Sequence, residues 1–212
     1  ILDLNVLQAN GFFNNVEFIP DNGICFQSTT LNDFMRLGRS TWKIVRKLIQ
    51  NFLIDDSNIN KYNNQLVKQT DVKMCLPATI GDYTDFYASR NHATNVGTMF
   101  RGIENALQPN WTHLPVGYHG RASSVVIDGT PIRRPRGQTI TKDTPKGPPN
   151  YTACKLFDFE LEMGCFIGGE ENPLGTPINM KQAHDRLFGL VLLNDWSARD
   201  IQKWEYVPLG PF

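Results

Sequence analysis

Between Lys155 and Phe166 apolar and acidic side chains alternate without a break. Phe157, Phe159, Leu161, Met163 and Cys165 share one parity; Asp158, Glu160 and Glu162 share the other. A period of two commits the stretch to a β-strand, whose successive side chains point to opposite faces. The Phe and Met face is expected in a core. The opposite face is unusual, because a strand turned to water commonly mixes Lys and Thr with acids. Three carboxylates in a row repel one another unless cations compensate.

A second strand is expected at Leu190-Val191-Leu192-Leu193, where a run without alternation implies burial on both faces. The run stops abruptly at Asn194-Asp195, and an acid at the end of a buried strand is a frequent site of function. Before it, Met180–Phe188 reads as a helix with His184 on its surface and Gly189 as its stop. After it, Ser197 is expected to cap a helix, with Asp200 three residues on as in a capping box. Arg199, Gln202 and Tyr206 would share one face of that helix. Val207 to Phe212 would end it.

A third stretch, Gly81 to Gly97, places a carboxylate and an imidazole close together with little around them to explain either as packing. Thr84 is expected to cap a helix that Gly97 ends, with Asp85 favoured by the N-terminal dipole. Asp85 and His92 would then lie about two turns apart on one face, with Tyr87 a little round from them. Taken alone, that pair reads first as a solvated helix start with a surface histidine.

The remaining chain is scaffold in this reading. Residues 1–29 are short apolar patches, including Val16–Pro20 and Ile24–Phe26, broken by Asn, Gly and Pro, as in the small strands of a β-rich unit. A short helix opens at Thr30 and ends near Gly38. Another opens at Ser40, with Trp42, Val45, Leu48, Ile49, Phe52 and Leu53 on one face and Lys43, Arg46 and Lys47 on a solvated one. Residues 55–72 are polar and Asn-rich, a loop with a domain boundary there or just after. Val72–Leu76 and Ser123–Ile127 are expected strands, the latter followed by a turn at Asp128-Gly129. Residues 130–150 form an exposed, Pro-stiffened loop, because Arg133, Arg134 and Arg136 lack the Gly-rich cradle of a phosphate site.

Composition narrows the function. With 41% hydrophobic and 20% charged residues the chain is ordinary for a globular protein. Its formal net charge is zero, which argues against nucleic acid or an anionic membrane as partner. No apolar run approaches the length of a membrane span. Cys25, Cys75, Cys154 and Cys165 form no CxxC pair. They are expected as small buried hydrophobes in a reducing compartment rather than a zinc site or disulfide framework.

Asp85, Glu160, Glu162 and Asp195 thus come from three separate elements. Carboxylates without a clustered Cys or His suit a hard cation, Ca²⁺ or Mg²⁺, in preference to zinc. His92 would be a general base beside it.

Five motifs carry a resemblance in the same order along the chain: Asp82–Tyr87, Arg90–Gly97, Leu114–Arg121, Glu160-Leu161-Glu162 and Asn194–Asp200. Together they resemble the fumarylacetoacetase family, and Thr30-Leu31-Asn32 and Leu37-Gly38-Arg39 extend the resemblance into the leading unit. The resemblance implies a mainly β, α+β fold. An incomplete SH3-like N-terminal barrel would occupy residues 1–77, and part of a mixed β-sandwich roll residues 78–212. It implies a cytosolic homodimer that hydrolyses the carbon–carbon bond of 4-fumarylacetoacetate at the end of tyrosine and phenylalanine breakdown. By motif, Asp85, Glu160, Glu162 and Asp195 would be Ca²⁺ ligands, with Asp195 also facing Mg²⁺. His92 would activate water. Tyr87, Arg101, Tyr118, Gln202 and Tyr206 would contact substrate, and Arg199 and Gln202 would stabilise the departing enolate.

Family members continue beyond Phe212, where a Lys, a Thr and a Glu of the site lie, and the chain starts Ile-Leu-Asp-Leu without Met. It is therefore expected to be a fragment, incomplete as a catalyst. The competing readings are a related metal-dependent acylpyruvate hydrolase, a non-catalytic Ca²⁺-stabilised homologue, and nucleic-acid binding through Arg133, Arg134 and Arg136.

Overall fold

A computed structural model describes residues 1–16, 25–61 and 63–208. They form two compact units of mixed α/β character with small antiparallel sheets. The first comprises Ile1–Thr79 and Met163–Leu193; the second comprises Ile80–Glu162 and Asn194–Phe212.

In the first unit the chain opens as helix, not strand. Helix α1 (Leu4–Ala9) starts where the Asp3 carboxylate accepts from Val6 N at 3.0 Å. That cap, with Leu4 and Leu7 one turn apart, outweighs the β-like composition. The expected strand at 16–20 lies almost wholly outside the described residues, as does Ile24. Helix α2 (Asn32–Arg36) and helix α3 (Arg39–Ile54) match expectation. On α3, Trp42, Val45 and Phe52 are buried while Lys43, Arg46 and Lys47 face outward. Leu7, Phe13, Cys25, Phe26 and Phe34 complete this core. Its rings meet edge-on or tilted, Phe12 on Phe13 at 5.0 Å and Phe26 on Phe34 at 4.9 Å, the arrangement their quadrupoles favour.

The polar stretch 55–72 is not a plain loop. Asp55 turns extended, and its carboxylate takes Ser57 N at 2.9 Å. That starts helix α4 (Asp56–Lys61), and two 3₁₀ turns follow (Asn63–Gln65 and Gln69–Asp71). Side-chain capping needs no apolar periodicity, so the pattern was silent. Val72–Leu76 and Val125–Ile127 join no sheet among the described residues.

The second unit departs most from expectation at its start. Tyr83–Phe86 is strand β1, paired antiparallel with β2 (Gly117–Gly120) so that Asp85 faces Tyr118. The helix begins later, as α5 (Arg90–Arg101), capped by Ser89. Aromatic and β-branched residues at 83–86 fit a pleat better than a first helical turn. Gly97 therefore lies inside α5, and Gly102, at φ 82°, follows it. Residues 130–150 contain a strand, β3 (Arg136–Thr139), paired with β4 (Asn150–Ala153).

The alternating stretch is two strands. β5 (Phe157–Asp158) and β6 (Leu161–Ile167) are separated at Phe159-Glu160, where the chain changes partner. After helix α6 (Met180–Arg186), whose Asn179 and Gln182 form a capping box, the chain enters β7 (Leu187–Asn194), so Gly189 lies in a strand. β7 pairs with β6, and β8 (Ser197–Ala198) pairs with β5. Helix α7 (Arg199–Glu205) starts after Ala198 without a side-chain cap. Ser197 instead donates to Asp195 O, and Asp200 turns to other partners.

The expected core faces of β6 and β7 are open. Met163, Ile167, Leu190 and Leu192 are each 61–76% exposed. The sheet has two strands, and only at its start is that parity covered, where Phe188 packs on Phe34 and Trp42. Cys75 and Cys165 are exposed as well, whereas Cys25 and Cys154 are buried, and all four are free thiols. Burial pushes the Cys25 thiol up to about 11. No helix among the described residues is long and apolar enough to cross a membrane.

Candidate metal and histidine site

Three segments of the second unit meet at the site. β1 brings Asp85, and the N-terminal turn of α5 brings His92, whose backbone N donates to Ser89 Oγ. The third is a hairpin-like pair. Asp195 N donates to Glu160 O at 3.0 Å and Glu160 N to Asp195 O at 3.2 Å. Below this reciprocal pair, Asp158 faces Ser197 and Phe157 faces Ala198, and the Phe157 and Trp196 rings stack at 4.9 Å. The break in the alternating strand is thus what sets Glu160 beside Asp195.

Asp85, Glu162 and Asp195 each offer an oxygen within 4.8 Å of the others. Burial first, then Asp85, Asp195 and Glu160, push the Glu162 carboxyl up to about 7. Burial, Glu160 and Asp85 push Asp195 up to about 6, against the pull of Arg199 and His92. Tyr83 stands close enough that, after burial, these acids raise its phenol to about 12. Tyr118 donates to Asp85 Oδ2 at 2.8 Å, and burial and that bond hold its phenol well above its ordinary value. An all-oxygen set in which Glu162 and Asp195 resist ionising has the chemistry of a hard-cation site.

Glu160 does something else as well. Its Oε1 lies 3.2 Å from His92 Nε2 and also takes the Arg199 guanidinium. Arg199 is 11% exposed at its side chain. It further donates to Asp158 Oδ2 at 3.1 Å and to Gln202 Oε1 at 3.1 Å. Burial works against its charge, but the bonds to Glu160 and Asp158 outweigh that and hold its pKa above the usual arginine value.

Tyr87 stacks edge-on to His92 at 5.6 Å and donates to Ala93 O. A cavity of about 280 Å³ opens beside it, lined by Arg101, Gln108, Asn110 and Trp111 among others. Arg101 reaches its rim while donating to Asn105 O and Ala106 O. Tyr206 packs on Phe100 at 5.2 Å. Of the cluster near residue 133, Arg134 donates to Cys154 O and lies over Phe157, and Arg136 lies over Tyr151. Sequence reasoning missed Tyr83 and the tie of Asp158 to Arg199; of these, Asp158 gave a signal, through the acidic face.

Residues 82–212 match the family model described as fumarylacetoacetate (FAA) hydrolase C-terminal, and residues 1–77 match fumarylacetoacetase N-terminal. The chain belongs to the fumarylacetoacetate hydrolase family. Among curated relatives of the family, the fumarylacetoacetase of Bos taurus is 61% identical over all of this chain and 50% of its own length. That of Dictyostelium discoideum is 55% identical over the same shares, and that of Arabidopsis thaliana 48%. The chain spans about half the length of these relatives.

Proposed function

We propose that this chain carries the metal and histidine groups of a hydrolase that cleaves the carbon–carbon bond of 4-fumarylacetoacetate to fumarate and acetoacetate, the last step of tyrosine and phenylalanine breakdown. The observation that carries the reading is the carboxylate trio with the His92–Glu160–Arg199 chain beside it. Relatives named fumarylacetoacetase support it.

Asp85, Glu162 and Asp195 would hold the ion, with Glu160 as fourth ligand. Ca²⁺ is the proposed occupant, and Mg²⁺ a second ion faced by Asp195. When bound, a divalent cation would polarise the diketone oxygens. With His92 Nε2 3.2 Å from Glu160 Oε1, the other ring nitrogen would use its lone pair to take a proton from water. Arg199 and Gln202 would offer donors to the enolate leaving group, and donors fixed before the charge develops stabilise it most. Tyr87, Arg101, Tyr118, Gln202 and Tyr206 would bind the substrate, whose acid groups suit the Arg101 rim of the cavity. At the level of architecture we assign residues 1–77 to an SH3-like barrel and residues 78–212 to part of a mixed β-sandwich roll, in a cytosolic homodimer.

The test is consumption of 4-fumarylacetoacetate by the full-length protein beside His92→Ala and chelator-treated samples. His92→Ala is expected to lose about 10²–10⁴-fold in turnover while still binding Ca²⁺. Chelation should abolish turnover. A His92→Ala protein that kept most of its activity would remove the histidine from the mechanism. An inactive wild type that still binds Ca²⁺ would favour a related diketone hydrolase.

A further inference from the structure

We propose that Asp200 is a positioning residue that aims Arg199 by tying the start of α7 to the segment before β5. The inference rests on the reading of Arg199 given above.

Asp200 sits at the second position of α7. Its Oδ1 accepts from the Cys154 thiol at 2.8 Å and from Ile201 N at 3.1 Å, and its Oδ2 accepts from Lys155 N at 2.7 Å. Arg199 N donates to Leu156 O at 2.9 Å. The first two residues of the helix are thus stitched to 154–156 by three bonds from different atoms. Cys154 is itself fixed, 2% exposed, with its N on Pro135 O and its O on Arg134. The bonds work in both directions: burial first, and then the Asp200 carboxylate, lift the Cys154 thiol to about 11, and the thiol and amide donors hold the Asp200 carboxyl below its usual value despite burial.

The rest of α7 is anchored on the same side. Ile201 packs so close to Gly137 that a methyl group there would lie 2.9 Å from it, and Trp204 donates to Gln138. With one side of the helix locked, the other side presents Arg199 to Asp158, Gln202 and Glu160. A seven-residue helix has too little internal bonding to hold its first turn alone. Hydrogen bonds to a charged acceptor are stronger than neutral ones, so the Asp200 tie decides where that turn points. Misplacing a reacting group's partner by about 1 Å can cost up to 10²-fold in rate.

The experiment measures kcat and KM for 4-fumarylacetoacetate in the full-length protein. The variants are Asp200→Asn, Arg199→Lys and their double, with Cys154→Ala and Cys154→Ser beside them. Asp200→Asn is expected to lower kcat by about 10-fold with KM within about 2-fold, because it acts through the leaving-group donor and not through ground-state binding. In the Arg199→Lys background the same change should cost less than about 2-fold, the non-additivity of two residues acting as one. Cys154→Ser, which keeps a donor, should recover most of what Cys154→Ala loses. Full additivity with Arg199→Lys, or equal losses from both Cys154 variants, would overturn the inference and leave Asp200 a fold-stabilising residue. An inactive wild type would defeat the functional reading instead. The crystal structure of Asp200→Asn then decides: Arg199 displaced from Asp158 and Glu160 supports the tie, and Arg199 unmoved refutes it.

Discussion

The fold raises the pKa of Glu162 and Asp195, so their contribution to stability has a definite sign. An acid whose pKa rises on folding lends stability that is complete below its unfolded value and is lost as pH climbs through the folded one. For Glu162, moving from 4.5 to about 7, and Asp195, from 3.8 to about 6, that window is the mildly acidic range. Asp200, held low, acts only below it. Chelator-treated full-length protein should therefore melt at higher temperature near pH 5 than near pH 7, as followed by calorimetry. A cation needs both carboxylates ionised, so Ca²⁺ binding should release protons and tighten as pH rises across the same window. Titration calorimetry in two buffers of different ionisation enthalpy measures the release. A buffer-independent heat would mean that these acids do not hold the ion. Of this site the sequence made the acids and His92 visible, because alternation and element ends flag residues that packing does not explain. Which acid bonds which neighbour was hidden, since Glu160 and Glu162 share a strand parity yet serve different partners.

At the scale of elements, two misplacements share a cause. The Gly81–Gly97 stretch holds a strand, a turn and most of a helix, with Ser89 rather than Thr84 as cap. Both residues are good caps, and the choice was made by β2, which pairs with 83–86. Likewise the strand at 155–166 breaks because β8 and β7 claim its two halves. Partner strands distant in sequence leave no local trace. Gly97 gives an element-level prediction. A methyl group there would collide with the backbone carbonyl of Ala106, which lies beyond α5, and would crowd Arg101. Gly97→Ala should cost about 1–3 kcal/mol of stability, read as a lower melting midpoint, although alanine is the better helix former. A more stable Gly97→Ala protein would show that the 102–106 turn yields freely.

For the whole molecule, the decisive feature is the apolar side of β6 and β7. Val191 lies on the side of Gly164, which puts Leu190 and Leu192 with Met163 and Ile167 on the other, open side. Contiguous apolar surface of this kind is uncommon on soluble monomers. The 212-residue chain is expected to bind a dye such as anilinonaphthalene sulfonate. A monomeric 212-residue chain with no dye binding would mean that the face closes on itself. The sequence by itself determined the helices α2, α3 and α6, the strand character of 157–167, and the acidic residue types of the candidate metal site. Those come from periodicity, capping and charge, which are local. The tertiary structure decided which strands pair, where the long strand breaks, that Asp85 faces Tyr118, and that Glu160 joins His92 to Arg199. Those outcomes depend on contacts between segments tens of residues apart, and the free energy that chooses among them comes from pairing and burial, not from propensity.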